Sequence, residues 1–527
     1  MCGVLGVYAS RPSLLYDILN KGTVLNERRG PDSFGISMID PAFGNIYTTQ
    51  YVKDKGAETL DEEKRKNSHY HKVRDYIMAT KSRMAISQTR YSTDERTTED
   101  SHDAKQLAMA NTQPIQVTYR EPFRDRGIGA QNGNVPPIEK QRLEDLVHEK
   151  SNHKATVDTR AYTELYMQKL REYNRDYFKA AEWMIRNVRG TSSFIFSDGH
   201  NLIAYKDQYT NRPLCFMGND QTKVISSESN ISTLRGDLEF YRELELGEIL
   251  KVDENGEVET RNIGSIDTPC GLCKLEPIYL MDYRSLGFDG SCSVDSFRFE
   301  YGASFVRLYP ELFQGLDVLA AVPESGNSYT RGVSFEARIP MKKPISKPDK
   351  KRNFLEGRNG IDRMVNTADH KFCFQAIDIQ DKDMGLIDDS LIRGDTLATT
   401  YIGLQMMGAK RVRFFSMWPV NPFRCDKGTD TQTNKELAAY ELVKNGTIHL
   451  VDEERPEQGY TYDQDDVNKE MTRIIRSNVR TKAEEMGVEV DPKNLEVYFS
   501  PISLLNSMVP EGCTTCLNKV ELKGWKG

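Results

Sequence analysis

The hydrophobic pattern of this chain changes character once, near residues 260–270, and that change restricts the available folds more than any other feature. Before it, short apolar runs recur at hairpin spacing. They include Phe194-Ile195-Phe196, Leu202-Ile203-Ala204-Tyr205, Leu214-Cys215-Phe216-Met217, Val224-Ile225-Ser226-Ser227 and Glu248-Ile249-Leu250-Lys251-Val252. Runs this short, with turns between them, predict antiparallel sheet. Residues 158–189 differ, offering Leu165, Met167, Leu170, Phe178 and Met184 at helical spacing to one or two buried faces. After the change, 318–322, 384–387 and 411–417 read as buried strands, with a helix-like segment over 399–407. Strand–helix–strand alternation predicts a parallel α/β unit. Four polar stretches, at 54–75, 94–110, 342–363 and 452–468, are expected as solvated loops or insertions, and the basic third one as a mobile lid.

Composition excludes some functions. The 527 residues suit two to four domains. With 71 Lys and Arg against 78 Asp and Glu, the net charge is −7, so no basic excess is available for nucleic acid. No apolar run reaches membrane-spanning length, and the start lacks the charged and apolar regions of a secretory signal. Nine cysteines without export features favour a reducing compartment, where Cys serves as nucleophile, ligand or buried hydrophobe.

Cys2 directly follows the initiator. Removal of Met1 would leave a thiol beside an α-amino group whose unperturbed pKa is about 7.7–8, so the amine can serve as base for its own side chain. Arg28-Arg29-Gly30-Pro31-Asp32-Ser33-Phe34-Gly35, Thr89-Arg90-Tyr91-Ser92-Thr93, Asn111-Thr112-Gln113-Pro114, Gln131-Asn132-Gly133-Asn134 and Val157-Asp158-Thr159 then follow in order. In type and order these resemble the class II glutamine amidotransferases over about the first 250 residues. The resemblance implies Cys2 as nucleophile, the Asn132 side chain and Gly133 N–H as oxyanion donors, and Arg90 and Asp158 at the carboxylate and ammonium of glutamine. Gln131 stands where that family usually has His, and Arg160 where it often has Glu.

The second half carries Gly385-Leu386-Ile387-Asp388-Asp389-Ser390-Leu391-Ile392-Arg393-Gly394-Asp395-Thr396. A strand ending in two acids, followed by a Gly- and hydroxyl-bearing turn into a helix, suits phosphate, ribose hydroxyls and Mg²⁺ at the carboxyl end of a parallel sheet. The segment resembles the type I phosphoribosyltransferase signature. It implies Asp388, Asp389, Ser390, Arg393, Gly394 and Thr396 as phosphoribosyl pyrophosphate contacts, and Ser325, Asp388 and Asp389 near Mg²⁺. Across 342–375 the match to the family's flexible loop has no clear register.

Cys270-x-x-Cys273 and Cys513-x-x-Cys516 alone would suggest a four-Cys zinc site. Together the two halves are similar to the amidophosphoribosyltransferase family, and in its iron–sulfur branch Cys273, Cys425, Cys513 and Cys516 match the ligands of a [4Fe–4S] cluster. Cys270 is then left over, and Cys215, Cys292 and Cys373 have no role.

The fold expected from these resemblances is an N-terminal nucleophile αββα sandwich over 2–262, a parallel α/β phosphoribosyltransferase unit over 263–500, and a cluster-binding tail over 501–527. The implied activity is glutamine hydrolysis at Cys2 with transfer of ammonia to phosphoribosyl pyrophosphate, giving 5-phosphoribosylamine, glutamate and pyrophosphate, the first step of purine synthesis. A cytoplasmic homotetramer inhibited by purine nucleotides is implied as well. The alternatives are a related amidotransferase acting on another ribosyl phosphate, and a nucleotide-binding regulator without transfer activity.

Overall fold

The structure, a computed structural model, describes residues 2–52, 68–91, 102–119, 125–135, 137–148, 151, 154–234, 236–264, 266, 271–287, 290–347, 372–425, 427 and 433–519. Residues 3–262 form two antiparallel sheets. The first contains β1 (Gly3–Ala9), β2 (Ser33–Ile39), β3 (Ile46–Val52) and β4 (Met84–Arg90). The second contains β5 (Ile115–Thr118), β6 (Arg126–Asn134), β7 (Thr191–Ser197) and β8 (Asn201–Lys206). The chain then returns to the first sheet with β9 (Cys215–Asn219), β10 (Thr222–Ser226) and β11 (Glu239–Glu243), and closes the second with β12 (Glu248–Asp253) and β13 (Val258–Asn262). The strand orders are β11-β9-β10-β1-β4-β2-β3 and β13-β12-β8-β7-β6-β5.

β1 is the central strand of its sheet, paired with β10 and β4. Its side chains alternate as the pleat requires. Val4 and Tyr8 face the second sheet and pack with Ile86, Ile128, Ala130 and Ile195. Leu5 and Val7 face outward onto Leu15, Ile18 and Leu19 of the helix Pro12–Leu25. β7 does the converse, with Ile195 turned inward and Phe194 and Phe196 turned onto Tyr162, Leu165 and Tyr166 of the helix Asp158–Glu172. The layers are therefore αββα, and burial on both faces explains why β1 carries a near-continuous apolar run and β7 the uninterrupted Phe194-Ile195-Phe196.

Beyond residue 262 lies a parallel sheet of β14 (Val318–Ala321), β17 (Asp383–Asp388), β18 (Arg411–Ser416) and β21 (Leu495–Phe499), in that order. Two short antiparallel ribbons accompany it, β15 (Ile345–Ser346) with β16 (Cys373–Phe374), and β19 (His449–Leu450) with β20 (Tyr460–Thr461). Leu386 and Phe414 face the helices Asp395–Met406 and Gln464–Met486, whereas Ile387 and Phe415 face Val294–Leu308 and Asn327–Ala337.

Three expected loops contain helices. Ser68–Thr80 is helical, with Val73 and Ile77 four residues apart on its buried face, a spacing that the surrounding charge masks in sequence. His102–Ala110 is helical, and its Ala, Gln, Leu and Met residues favour that state. Residues 464–468 open a 23-residue helix and Val467 is buried, because Asp463 caps it by accepting the N–H groups of Asp465 and Asp466 at 3.0 and 3.1 Å. The remainder of the first two stretches, 53–67 and 92–101, lies outside the described residues, as do 348–371 of the basic stretch and its lid. The helix expected at 399–407 begins earlier, at Asp395, after Gly394 with φ +92°.

Candidate functional site

The pairing of Gly3 with Thr89 sets Cys2 beside the end of β4, where Arg90 is buried. The Cys2 backbone N–H donates to Asn132 Oδ1 at 3.2 Å, across 130 residues of chain. Asn132 is fully buried, and its Nδ2 has no hydrogen-bond partner. An unsatisfied buried amide donor costs roughly 1–3 kcal/mol. Its place beside a thiol suits an acceptor that arrives with a substrate.

The strand that carries Asn132 is held from several sides. Gln131 donates its N–H to Gln113 Oε1 at 2.8 Å, accepts Gln88 Nε2 on its carbonyl at 3.0 Å, and accepts Ser192 Oγ on its side chain at 3.3 Å. Gly133 is required by close approach, since a Cβ there would lie 1.8 Å from the Thr191 carbonyl oxygen of β7. Asp158 accepts the N–H groups of Val135 at 2.9 Å and Thr159 at 2.8 Å. Burial pushes its carboxyl up, while those two bonds and the charges of Lys140 and Arg90 pull it back. Cys2, Arg90, Asn132, Gly133 and Asp158 are thus gathered at one end of the two sheets. Ser92 and Thr93 of the quoted motif lie outside the described residues.

A second group of predicted residues meets at the carboxyl end of β17. Asp388 Oδ1 accepts Ser325 Oγ at 3.2 Å and the Asp389 N–H at 2.9 Å, and Ser390 Oγ donates to Asp389 Oδ1 at 2.6 Å. Burial, and then the neighbouring Asp389 charge, push the Asp388 carboxyl well above its usual range. A hard divalent cation would relieve that repulsion, and two carboxylates with a hydroxyl fit Mg²⁺, which commonly takes its remaining ligands from phosphate and water. Gly394 and Thr396 sit where the helix Asp395–Met406 starts. Arg393 instead turns to the surface and pairs with Glu436 at 2.7 Å.

The four cysteines at family ligand positions also meet. Cys273 and Cys513 form a β-bridge. The Cys516 thiol is pushed well up by burial and then by the charges of Cys425, Cys273 and Cys513. Among the described residues, no three His, Cys, Asp or Glu side chains close around one metal-ion position. Four thiols are the donor set of a [4Fe–4S] cluster, whose irons each take one sulfur. Cys270 lies outside the described residues.

Sequence reasoning gave no role to the charges that join the two halves. Arg29 is buried, with Nε 2.5 Å from Glu228 and Nη2 2.8 Å from Glu276. Burial opposes its charge, but the two carboxylates outweigh this and hold the guanidinium above its ordinary value. Arg212, also buried, reaches Glu276 at 3.5 Å and the Lys427 carbonyl at 2.9 Å. Arg29 lies inside a quoted motif, but its partners are 199 and 247 residues away and no local pattern marks the pairing.

This arrangement defines a class, an N-terminal nucleophile αββα fold followed by a type I phosphoribosyltransferase fold. No family model matches the chain. It is 26% identical over 457 residues to the amidophosphoribosyltransferase of Methanocaldococcus jannaschii, covering 83% of this chain and 88% of the relative. It is also 26% identical over 449 residues to that of Mycobacterium tuberculosis, covering 83% and 76%. Among solved structures it superposes on the glutamine phosphoribosylpyrophosphate amidotransferase of B. subtilis complexed with ADP and GMP, with a TM-score of 0.69, 19% identity, and coverage of 99% and 98%. A structure described as the allosteric regulatory enzyme of purine biosynthesis gives a TM-score of 0.70 at 20% identity, with the same coverage. Sequence relatives and shared fold together support the amidophosphoribosyltransferase family. Among the described residues no helix is long and apolar enough to cross a membrane.

Proposed function

We propose that the chain is a glutamine-dependent amidophosphoribosyltransferase catalysing the first step of purine synthesis. The observation that carries the reading is the buried, unpartnered Asn132 Nδ2 beside Cys2. In this reading the Cys2 thiolate attacks the glutamine amide carbon. Asn132 Nδ2 and the Gly133 N–H stabilise the oxyanion of the tetrahedral intermediate. Arg90 and Asp158 orient the two charged groups of glutamine. The amide nitrogen leaves as ammonia, taking the proton that the thiol gave to the α-amine, and water then clears the glutamyl thioester to glutamate.

Ammonia enters the second half and forms a bond to the anomeric carbon of phosphoribosyl pyrophosphate as the bond to pyrophosphate breaks. Gly394, Thr396, Ser390 and the helix start receive phosphate. Arg393 is available to the same substrate from its surface pair with Glu436. Ser325, Asp388 and Asp389 would hold Mg²⁺, which when bound supplies charge neutralisation for the leaving pyrophosphate. Cys273, Cys425, Cys513 and Cys516 would hold a [4Fe–4S] cluster in a structural role. Residues 2–262, 263–500 and 501–527 serve as glutaminase, transferase and cluster tail. The ADP and GMP of the B. subtilis relative support purine nucleotides as regulators here. The homotetramer and cytoplasmic setting belong to the same reading.

Phosphoribosylamine formation from glutamine and phosphoribosyl pyrophosphate tests this directly. Cys2→Ala should lose glutamine use and keep transfer from ammonium. Pyrophosphate release without phosphoribosylamine would refute the transfer reading. Glutamine turnover in Cys2→Ala, or an active preparation still carrying Met1, would refute the nucleophile. Iron analysis of protein purified without oxygen tests the cluster.

A further inference from the structure

One buried residue outside both sets of proposed site residues touches the cysteine pocket and the oxyanion strand's neighbour. Lys427 is 3% exposed. Its N–H donates to Cys425 Sγ at 3.3 Å, and its Nζ lies 3.7 Å from Cys513 Sγ and 3.3 Å from Thr515 Oγ1. Its carbonyl points the other way and accepts Thr191 Oγ1 at 3.0 Å and Arg212 Nη2 at 2.9 Å. Thr191 opens β7 opposite Asn134, whose N–H it accepts at 3.3 Å, and its own carbonyl occupies the space a Cβ on Gly133 would need. The path from two sulfurs to the oxyanion strand therefore runs through Lys427 and Thr191, both buried and directly bonded.

We propose that Lys427 is a positioning residue for glutamine hydrolysis, tying the oxyanion strand to the four cysteines so that this half-reaction depends on what the thiols hold. The inference rests on the glutaminase reading above. A metal group bound by Cys425 and Cys513 fixes their separation. Lys427 spans both sulfurs, so a change in that separation shifts its backbone and, with it, the carbonyl that anchors Thr191. In a close-packed interior such a shift is passed on. Asp388 and Asp389 reach the thiols by a separate route, their carbonyls accepting the N–H groups of Met417 and Trp418, with Trp418 leading through Asn421 and Phe423 to the Cys516 carbonyl. Substitutions at Lys427 or Thr191 therefore cut the route to the oxyanion strand and leave the route to the transferase acids in place.

The test uses the full-length protein purified without oxygen, with Lys427→Met, Thr191→Val and Thr191→Ser. Amide hydrogen exchange is followed in peptides covering 128–134 and 191–197, and phosphoribosylamine is measured with glutamine or with ammonium. Lys427→Met and Thr191→Val should speed exchange in both peptides. They should lower the glutamine-dependent rate about 10- to 100-fold, the scale of outer-sphere losses, and leave the ammonium-dependent rate within about twofold. Thr191→Ser, which keeps the hydroxyl, should behave as wild type. Chelation of wild-type protein should reproduce the faster exchange. Unchanged exchange in Lys427→Met and Thr191→Val, or a parallel fall of both rates, would overturn the coupling. A wild-type protein that makes no phosphoribosylamine from either nitrogen source refutes the activity instead, while the exchange comparison still decides the coupling.

Discussion

Gly133→Ala probes the oxyanion strand with a displacement that can be worked from the structure. The added Cβ would meet the Thr191 carbonyl oxygen at 1.8 Å, its carbon at 2.6 Å and Ser192 Cα at 2.7 Å. All three are backbone atoms of the paired strand, so no rotamer can make room. Ordinary contact lies at 3.4 Å or beyond, so β6 and β7 must part by roughly 1.5 Å. That moves the Gly133 N–H and disturbs Asn132 beside it. A misplacement of about 1 Å costs about 10² in rate, and loss of one oxyanion donor about 10²–10³. The glutamine-dependent rate should therefore fall about 10²–10³-fold, while ammonium-dependent synthesis stays within about twofold. Forced repacking of this kind also costs about 1–3 kcal/mol, which urea unfolding would detect. Steady-state product formation with each nitrogen source, on one preparation, separates these effects. Glutamine turnover within about threefold of wild type would show that neither Gly133 nor its neighbour forms the oxyanion site.

Arg29→Met strands Glu228 and Glu276 in the buried interface, so unfolding in urea should show a loss of about 3–5 kcal/mol, largely restored when both acids are also made Gln. A loss below about 1 kcal/mol would mean the network is open to water. Asp207 is buried, and burial pushes its carboxyl up to about 6 despite N–H groups donated by Ser192 and Tyr209. The folded state therefore holds this proton more tightly than the unfolded chain, and Asp207 contributes stability that is present at about pH 4 and lost as pH rises through about 6, on the order of 3 kcal/mol. Asp207→Asn should flatten the stability profile over that interval, and an unchanged slope would contradict the shift. Asp388→Asn should lower phosphoribosylamine formation from ammonium by more than about 10², since a metal clamp on pyrophosphate is worth several kcal/mol, and leave glutamine hydrolysis intact. An undiminished Mg²⁺ dependence in that variant would remove Asp388 from the metal site.

The chemistry-bearing residues were legible because each sits in a short motif whose neighbours are local. Cys2, Asn132-Gly133 and Asp388-Asp389 fall in such runs, but of the strands beside them only β17 was marked by its own apolar run, at 384–387. The helices at Ser68–Thr80 and Gln464–Met486 were not legible as helices at their starts, because one buried residue per turn is hidden among charges until the partner face is known. Sequence by itself determined which groups can do chemistry and whether a segment buries one face or two, since periodicity is a property of the local backbone. Only the tertiary structure decided that Arg29 meets Glu276 across 247 residues, that Lys427 links the thiols to Thr191, and that Asn132 keeps a donor open beside Cys2. Those pairings are set by how two sheets and a third stack in space, and burial then turns ordinary charges and amides into interactions whose loss costs kilocalories.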